Sequence, residues 1–452
     1  MLSAEANERL CRVGRGTPMG DLMREYWIPC LPSAEFPGPD SPVKRMTLLG
    51  ENFVMFRDSA GRMGALAEAC PHRGASMYFG LNEECGLRCV YHGWKFDIEG
   101  NCVDMPSEPP ESNFKNKVKA KAYPCREINH MIWVYMGPRA KPPPFPRFEV
   151  NTLPEDRVIP PTIMMEEANW LQNLEGDIDT YHLDWVHAKR SKNAPYPGIG
   201  VPGFWNHDKL PPRLAVQRTD YGAYYTAMRT LEDGNDWHRI NQFIFPFHTM
   251  ISSGTQAVLR SFVPIDDEWA MLIAQQGQPG SEPLPNALRA RGEMAADPFK
   301  DWGGYLPRTN DPRSYFYTAA NRHNDYLEDP TLKESFNLGV PFIMNLQDRA
   351  MTELMTGANG ERIYDRTQEH LGRTDAMIIQ VRRQLLNAVE HHQETGEPPA
   401  NVDDVELDRV RCATVILPPG SDWVAETEDA RTSDEHKVLA FEHHLVPALE
   451  PD

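Results

Sequence analysis

The stretch CPHRGASMYFGLNEECGLRCVYHGWKFD, residues 70–97, decides how this chain is read. It holds two cysteine–histidine pairs. The first is Cys70-x-His72; after sixteen residues (73–88) comes the second, Cys89-x-x-His92. Two cysteines and two histidines can make a structural zinc site, and by composition alone zinc is the default.

Three features weigh toward another centre. Each half pairs one cysteine with one histidine. Each half lies on a loop between short strands. Gly74 and Gly93 follow the histidines closely, which suits backbone packed tightly round a cluster. In a Rieske [2Fe–2S] centre two cysteines hold one iron and two histidines the other.

Short strands surround these loops. VKRMTLLG, NFVMFRD and RMGALAEA begin at Val43 and are separated by turn residues such as Asp58 to Gly61. WKFD and NCVDM flank the turn Ile98 to Gly100, a hairpin signal. AYPCREINHMIWVYMG closes an all-β domain over 43–137. Upstream, residues 1–42 read as an N-terminal helical segment with Leu10, Val13, Met19, Leu22, Met23 and Tyr26 as apolar positions, then proline-rich loops. Ser3 followed by Ala6 is no capping box, so the sequence does not fix the helix start.

Downstream, a proline-rich linker over 138–148 precedes a second domain over 149–452. VIPPTIMMEEANW reads as a strand. AVQRTDYGAYYTAMRTLED, WHRINQFIFPFHTMIS, AVLRSFVPID and EWAMLIAQQ read as successive antiparallel strands. Residues 280–335 read as irregular. MNLQDRAMTELM starts a helix, and TDAMIIQVRRQLLNAVEHHQE is an amphipathic helix with Ile378, Val381, Leu385 and Val389 on one side.

Composition bounds the function. The 452 residues suit two domains, or one with a large insert. The net charge of −19 argues against nucleic acid and anionic membranes. No run approaches the roughly 18 apolar residues of a membrane span. The start, MLSAEANERLCRV, lacks the apolar core of a signal peptide, so a cytoplasmic location is expected. The eight scattered cysteines then suit metal ligation better than disulfides.

A second stretch, NWLQNLEGDIDTYHLDWVHAK at 169–189, carries His182 and His187 behind Glu175, Asp177 and Asp179. Two imidazoles and a distant carboxylate suit mononuclear Fe(II) and leave positions open for dioxygen. Spacing of i and i+5 puts the histidines about 140° apart on a helix. They can face one metal only if the helix is widened or broken there. Taken alone, the pair reads equally well as two ordinary helix histidines.

Together these motifs resemble the terminal oxygenase (α) subunit of the Rieske non-haem iron oxygenases, over nearly the whole chain. The closest likeness is to the phthalate-dioxygenase-like branch, in whose style PMGDLMREYW and CVYHGWKFDIEGNCVDMPSEP are written. The resemblance implies an α+β protein: a small all-β Rieske domain, then a helix-grip-like catalytic domain with a curved antiparallel sheet and helices. It implies Cys70 and Cys89 on one cluster iron and His72 and His92 on the other. It implies His182, His187 and Asp348 as ligands of a mononuclear Fe(II), with Asp325 and Asp365 as weaker third candidates. Asp179 resembles the carboxylate that bridges this iron to the cluster of a neighbouring subunit.

The resemblance further implies electrons from NAD(P)H through a separate flavin/iron–sulfur reductase, O₂ as co-substrate, and a head-to-tail homotrimer or stacked hexamer. One departure stands out: ring-dihydroxylating relatives often carry Asn seven residues before the first triad histidine, where this chain has Glu175. A second comparison concerns potential. Respiratory Rieske proteins carry two extra cysteines and a serine where this chain has Ala75, Tyr91 and Trp94. A potential near the low end of the roughly −150 to +300 mV Rieske range is expected.

The expected reaction is cis-dihydroxylation of an aromatic carboxylate; O-demethylation of a methoxylated aryl acid is the alternative. Arg239, Asn241, Phe243, Phe245 and Phe247 alternate along one strand face. If that face lines the cavity, Arg239 can hold a carboxylate; an ordinary sheet face with a surface arginine explains the pattern as well. A Rieske electron carrier without catalysis and a zinc-stabilised binding protein are the readings from other classes. Cys11, Cys30, Cys85, Cys102, Cys125 and Cys412 read as packing residues.

Overall fold

The computed structural model describes residues 2–187, 211–252, 257–279, 304–334, 338–340, 344–357, 359–403 and 406–432. Helix α1 (Ala4–Cys11) starts at Ser3, whose hydroxyl accepts from the Ala6 N–H. A lone N-cap therefore sets the start that lacked a capping box. Helix α2 (Pro18–Arg24) is capped by Thr17 and has proline in its first turn.

The N-terminal segment is not helical to its end. Trp27–Pro32 is a strand, paired with Met131–Tyr135, which also pairs with Cys125–Ile128. Its prolines are tolerated because it is the sheet's edge and carries a register shift between Pro29 and Leu31.

Two further sheets complete the β region. Lys44–Leu48, Glu51–Arg57 and Met63–Ala67 form one; Leu81–Glu83, Gly86–Arg88, Lys95–Phe96 and Cys102–Asp104 form the other. The two cysteine–histidine loops are the connections 68–80 and 89–94 that enter and cross the second sheet.

The downstream region is built on one eight-stranded antiparallel sheet. Its order is Val158–Glu166, Ala270–Gly277, Ala257–Pro264, His248–Met250, Asp236–Ile244, Gly222–Thr230 and Arg213–Thr219, with Ala413–Leu417 also pairing Asp236–Ile244. The run AVQRTDYGAYYTAMRTLED is thus a hairpin of two strands that turns at Asp220–Tyr221. Residues 280–303 of the stretch read as irregular lie outside the described residues.

Three helices matter for the site: α3 (Trp170–Ile178), α4 (Met344–Thr352) and α5 (Ala376–Thr395). Helix α5 buries Ile378, Val381, Leu385 and Val389, as its periodicity requires, and ends at Gly396 with φ +74. Helix α3 lies on one face of the large sheet. Asp177 bonds Thr249 and pairs with Arg260, and Thr180 meets the Tyr225 hydroxyl at 2.7 Å.

The proline-rich stretch 138–148 is packed rather than free. Trp27 donates to the Pro143 carbonyl at 3.0 Å, and Phe145 meets Trp27 and Trp133 edge-on. One hydrophobic core runs through both regions, with Trp133 and Phe148 stacked at the junction.

Glu175 explains its own departure from the expected Asn. Its carboxylate, in the core, accepts from Arg366 and from Arg382 of α5, and Arg382 also pairs with Glu369. Burial alone would raise its pKa; the two guanidiniums hold it below the ordinary value of 4.5. Removing one partner of a buried ion pair costs about 3–5 kcal/mol. Glu175→Ala is expected to lose stability of that order in urea titrations at neutral pH. The carboxylate's contribution is complete above pH about 4.5 and fades as pH falls towards the depressed folded value. Glu175→Gln should therefore flatten the acid limb of the stability curve; an unchanged limb counts against this lock.

Candidate metal centres

The two cysteine–histidine loops share one backbone plan. The Cys70 N–H donates to Ala75 O and the Gly74 N–H to Cys70 O, at 2.8 and 2.9 Å. In the second loop the Cys89 N–H donates to Trp94 O and the Gly93 N–H to Cys89 O, at the same distances. Each turn closes on a glycine with positive φ, +77 at Gly74 and +80 at Gly93, and a Cβ on Gly93 would meet Pro106 at 2.6 Å. The closely placed glycines are thus a geometric requirement.

Equivalent turns put equivalent groups side by side. Cys70 and Cys89 are both 3% exposed. His72 and His92 lie further out with ring centroids 4.5 Å apart, edge to face. The Cys70 thiol is pushed up to about 11, first by burial and further by Cys89 beside it. His72 Nδ1 is buried with no hydrogen-bond partner. An inner pair of thiols, an outer pair of imidazoles and an orphaned ring nitrogen fit a two-iron cluster. Trp94 stacks on His72 at 4.4 Å and gives its indole N–H to Ser107 at 2.8 Å.

The second site forms where α3 stops. The helix ends at Ile178 and Asp179 is extended, at φ −83 and ψ 119. A short 3₁₀ turn, Tyr181–Asp184, then carries His182. The helix is broken rather than widened, and the break lets two histidines five residues apart face one point. A buried ion pair from Asp184 to Arg229 ties the turn to the sheet.

Helix α4 brings Asp348 to the same point. Its Oδ1 lies 3.3 Å from His182 Nε2 and 2.8 Å from His187 Nε2, and those two nitrogens are 3.2 Å apart. Among the described residues this is the one group of three potential ligands whose donor atoms all fall within 4.8 Å. Two imidazoles and one carboxylate are the donor set of a facial triad. Asp325 and Asp365 are not part of it; Asp365 accepts from the Thr367 N–H and hydroxyl instead.

Asp179 stands behind His182, its Oδ2 3.7 Å from Nδ1, a charge contact rather than a hydrogen bond. Its Oδ1 accepts from the Tyr181 N–H at 2.8 Å. Burial opposes charge on His182, yet Asp179 and Asp348 outweigh it and push the imidazolium up to about 10. Burial would raise the Asp348 carboxyl, but His187 and then His182 hold it below its ordinary range.

Sequence reasoning missed Gln347. Its Oε1 lies 2.7 Å from His187 Nδ1, and its amide donates to Val340 O at 2.9 Å. Only its place next to Asp348 hinted at a role. Glu353, five after Asp348, is fully buried and paired with Arg349, and it accepts from the Tyr326 hydroxyl at 2.6 Å.

On the sheet face below α3, Tyr225 bonds Thr180 and accepts from Asn241 at 2.9 Å. Arg239 follows two residues away on that face and is 9% exposed, so it is not a surface arginine. Phe243 shares the face, whereas Phe245 and Phe247 belong to the turn beyond the strand.

Two family models match the chain. The Rieske [2Fe–2S] domain family matches residues 26–124, and the family described as "LigXa C-terminal domain like" matches residues 134–444. The chain belongs to the Rieske non-haem iron oxygenases.

Among Rieske oxygenases, it is 38% identical over 431 residues to the 3-chlorobenzoate-3,4-dioxygenase oxygenase subunit of Comamonas testosteroni, covering 94% of this chain and 97% of that one. It is 34% identical to the phthalate 4,5-dioxygenase oxygenase subunit of Pseudomonas putida, covering 94% of each. It is 31% identical to the 5,5'-dehydrodivanillate O-demethylase oxygenase subunit of a Sphingobium species, over 90% of this chain and 85% of that one. The fold is that of the carbazole 1,9a-dioxygenase terminal oxygenase from Novosphingobium sp. KA1, with a TM-score of 0.52 at 17% identity, covering 85% of this chain and 98% of that one. As a Rieske oxygenase component, the chain works in a multicomponent ring-hydroxylating system. It carries a [2Fe–2S] cluster and a mononuclear iron, and its electrons come from a separate protein. Among the described residues no helix is long and apolar enough to cross a membrane.

If His182 ligates the iron, binding displaces its proton. Adding Fe(II) to the apoprotein at neutral pH is expected to release about one proton, read by calorimetry in buffers of different ionisation enthalpy. Affinity should rise with pH above neutrality as His182 gives up its proton. A pH-independent affinity without proton release would contradict the imidazolium.

Proposed function

We propose that this oxygenase hydroxylates an aromatic carboxylate by cis-dihydroxylation, with Arg239 as the group that receives the carboxylate. The observation that carries this reading is a buried arginine on the sheet face whose Tyr225 meets Thr180, the residue between Asp179 and the His182 turn, with Asn241 and Phe243 further along the same face. Burial lowers the Arg239 pKa, with Tyr225 acting the other way, so a bound anion would stabilise the charged guanidinium. A guanidinium meets a carboxylate in a planar, two-pronged fashion. A second reading, O-demethylation of a methoxylated aryl acid, is favoured by the 31% identical relative named as an O-demethylase.

In this proposal Cys70 and Cys89 hold the inner cluster iron and His72 and His92 the outer one. His182, His187 and Asp348 hold the mononuclear iron. When bound, that iron supplies dioxygen activation, fed by the cluster. The chain's own residues do the rest. Asp179 orients His182 from behind, as outer carboxylates orient metal-bound imidazoles. Arg239 fixes the acid end of the ring, and Phe243 supplies an apolar surface for it.

The cluster of one subunit would serve the iron of the next in a head-to-tail trimer. Two apolar surfaces suit that contact: Val90 and Tyr91, 54% and 58% exposed at the cluster loop, and Trp185 and Leu354, 51% and 50% exposed near the triad. The electron donor is proposed to be a flavin/iron–sulfur reductase.

Single turnover tests the reaction. The protein is reduced, freed of reductant and mixed with one aryl acid from a panel, then given O₂. Substrate-gated cluster reoxidation with a product gaining two oxygens and two hydrogens is the expected result. Loss of a methyl group with formaldehyde would select demethylation instead. Asp348→Ala should drop iron from about three to about two per chain with the cluster spectrum intact; full iron retention would remove Asp348 from the triad. Arg239→Gln should raise KM for the acid about 30-fold, or about 2 kcal/mol, with iron content unchanged. An unaltered KM would sink the carboxylate reading.

A further inference from the structure

We propose that Gln347 is a positioning residue of the mononuclear site, fixing the tautomer and ring angle of His187. The inference rests on the reading of His182, His187 and Asp348 as iron ligands. The amide of Gln347 is itself oriented: its nitrogen donates to Val340 O at 2.9 Å, which leaves Oε1 facing His187. Oε1 accepts at 2.7 Å, so His187 Nδ1 carries a proton and Nε2 is the atom turned to the point shared with His182 Nε2 and Asp348 Oδ1.

The arrangement is buried and hydrogen-bonded at each link. Gln347 is 5% exposed and His187 3%. Val340 is held by the turn before it, where Gly339 has φ +74 and its carbonyl accepts from the Asp329 N–H at 2.9 Å. A Cβ on Gly339 would come within 2.9 Å of Asp329 O, so glycine is required in this turn. Val340 also packs with Leu346 and Ala350 of α4.

Two consecutive residues of α4 therefore divide the work: Asp348 faces the metal directly, and Gln347 aims an imidazole at it. The two histidines are supported differently. His182 has a carboxylate behind it at 3.7 Å, whereas His187 has a neutral amide in hydrogen-bond contact. A neutral partner fixes the ring without adding a second negative charge to the site.

The test uses the full chain with its cluster loaded and Fe(II) as the probe. Gln347→Met keeps the volume and removes the acceptor; Gln347→Asn shortens the arm and serves if the Met protein does not fold. Each is expected to lower Fe(II) affinity about 10- to 100-fold, with cluster absorbance and Tm little changed. The nitric-oxide adduct of the ferrous site should also change its EPR rhombicity as the ring turns. Gln347→Glu keeps an acceptor for Nδ1–H and should restore affinity to within a few-fold of the parent. Affinity within twofold of the parent in the Met and Asn proteins would overturn the proposal. So would equal loss in the Glu protein, which would make the effect one of packing. Asp348→Ala, measured alongside, separates the two failures: if it keeps its iron, the triad reading falls; if it loses iron while Gln347→Met does not, only the role of Gln347 falls.

Discussion

A carboxylate locked between two guanidiniums in the core is the interaction on which the catalytic region depends. Glu175 sits one turn before the end of α3, and its partners come from elsewhere in the chain: Arg382 from α5, Arg366 from the segment after α4. Such a lock has little tolerance for displacement, because a shifted carboxylate would leave two buried cations uncompensated. Helix α3 is thereby held at its C-terminal turn. The Asp179–His187 segment leaves directly from that turn, so the position of both histidines inherits the precision of the ion pair.

Much of this was legible in residue order, for a physical reason. The cluster loops are local: each turn closes within six residues, from cysteine N–H to the carbonyl five on, so spacing and glycines carry the geometry. His182 and His187 were ambiguous on spacing alone, and they and Asp348 were read from the family resemblance. The helix break was foreseeable because an unbroken helix cannot aim residues five apart at one metal.

Other features depend on partners far away in sequence and left no local mark. Trp27–Pro32 is proline-containing and sits in a segment that reads as helix and loop; it becomes a strand because Met131–Tyr135 offers an edge. Ala413–Leu417 is a strand for the same kind of reason, beside Asp236–Ile244. Gln347 looks like any helix glutamine until His187 and Val340 are placed on either side of it. The proline-rich stretch 138–148 has a linker's composition, yet Trp27, Trp133 and Arg126 hold its phenylalanine. Proline stiffens a chain whether or not the chain is packed, and composition does not separate the two cases.

That packed connection bears on how electrons travel. Swinging one region against the other would strip Trp133, Phe145 and Phe148 out of a continuous core, at several kcal/mol for the buried aromatic surface. That packing ties the strands beside the cluster loops to the region that carries the triad. Electron transfer slows steeply with distance, so a connection this well packed bears directly on its rate.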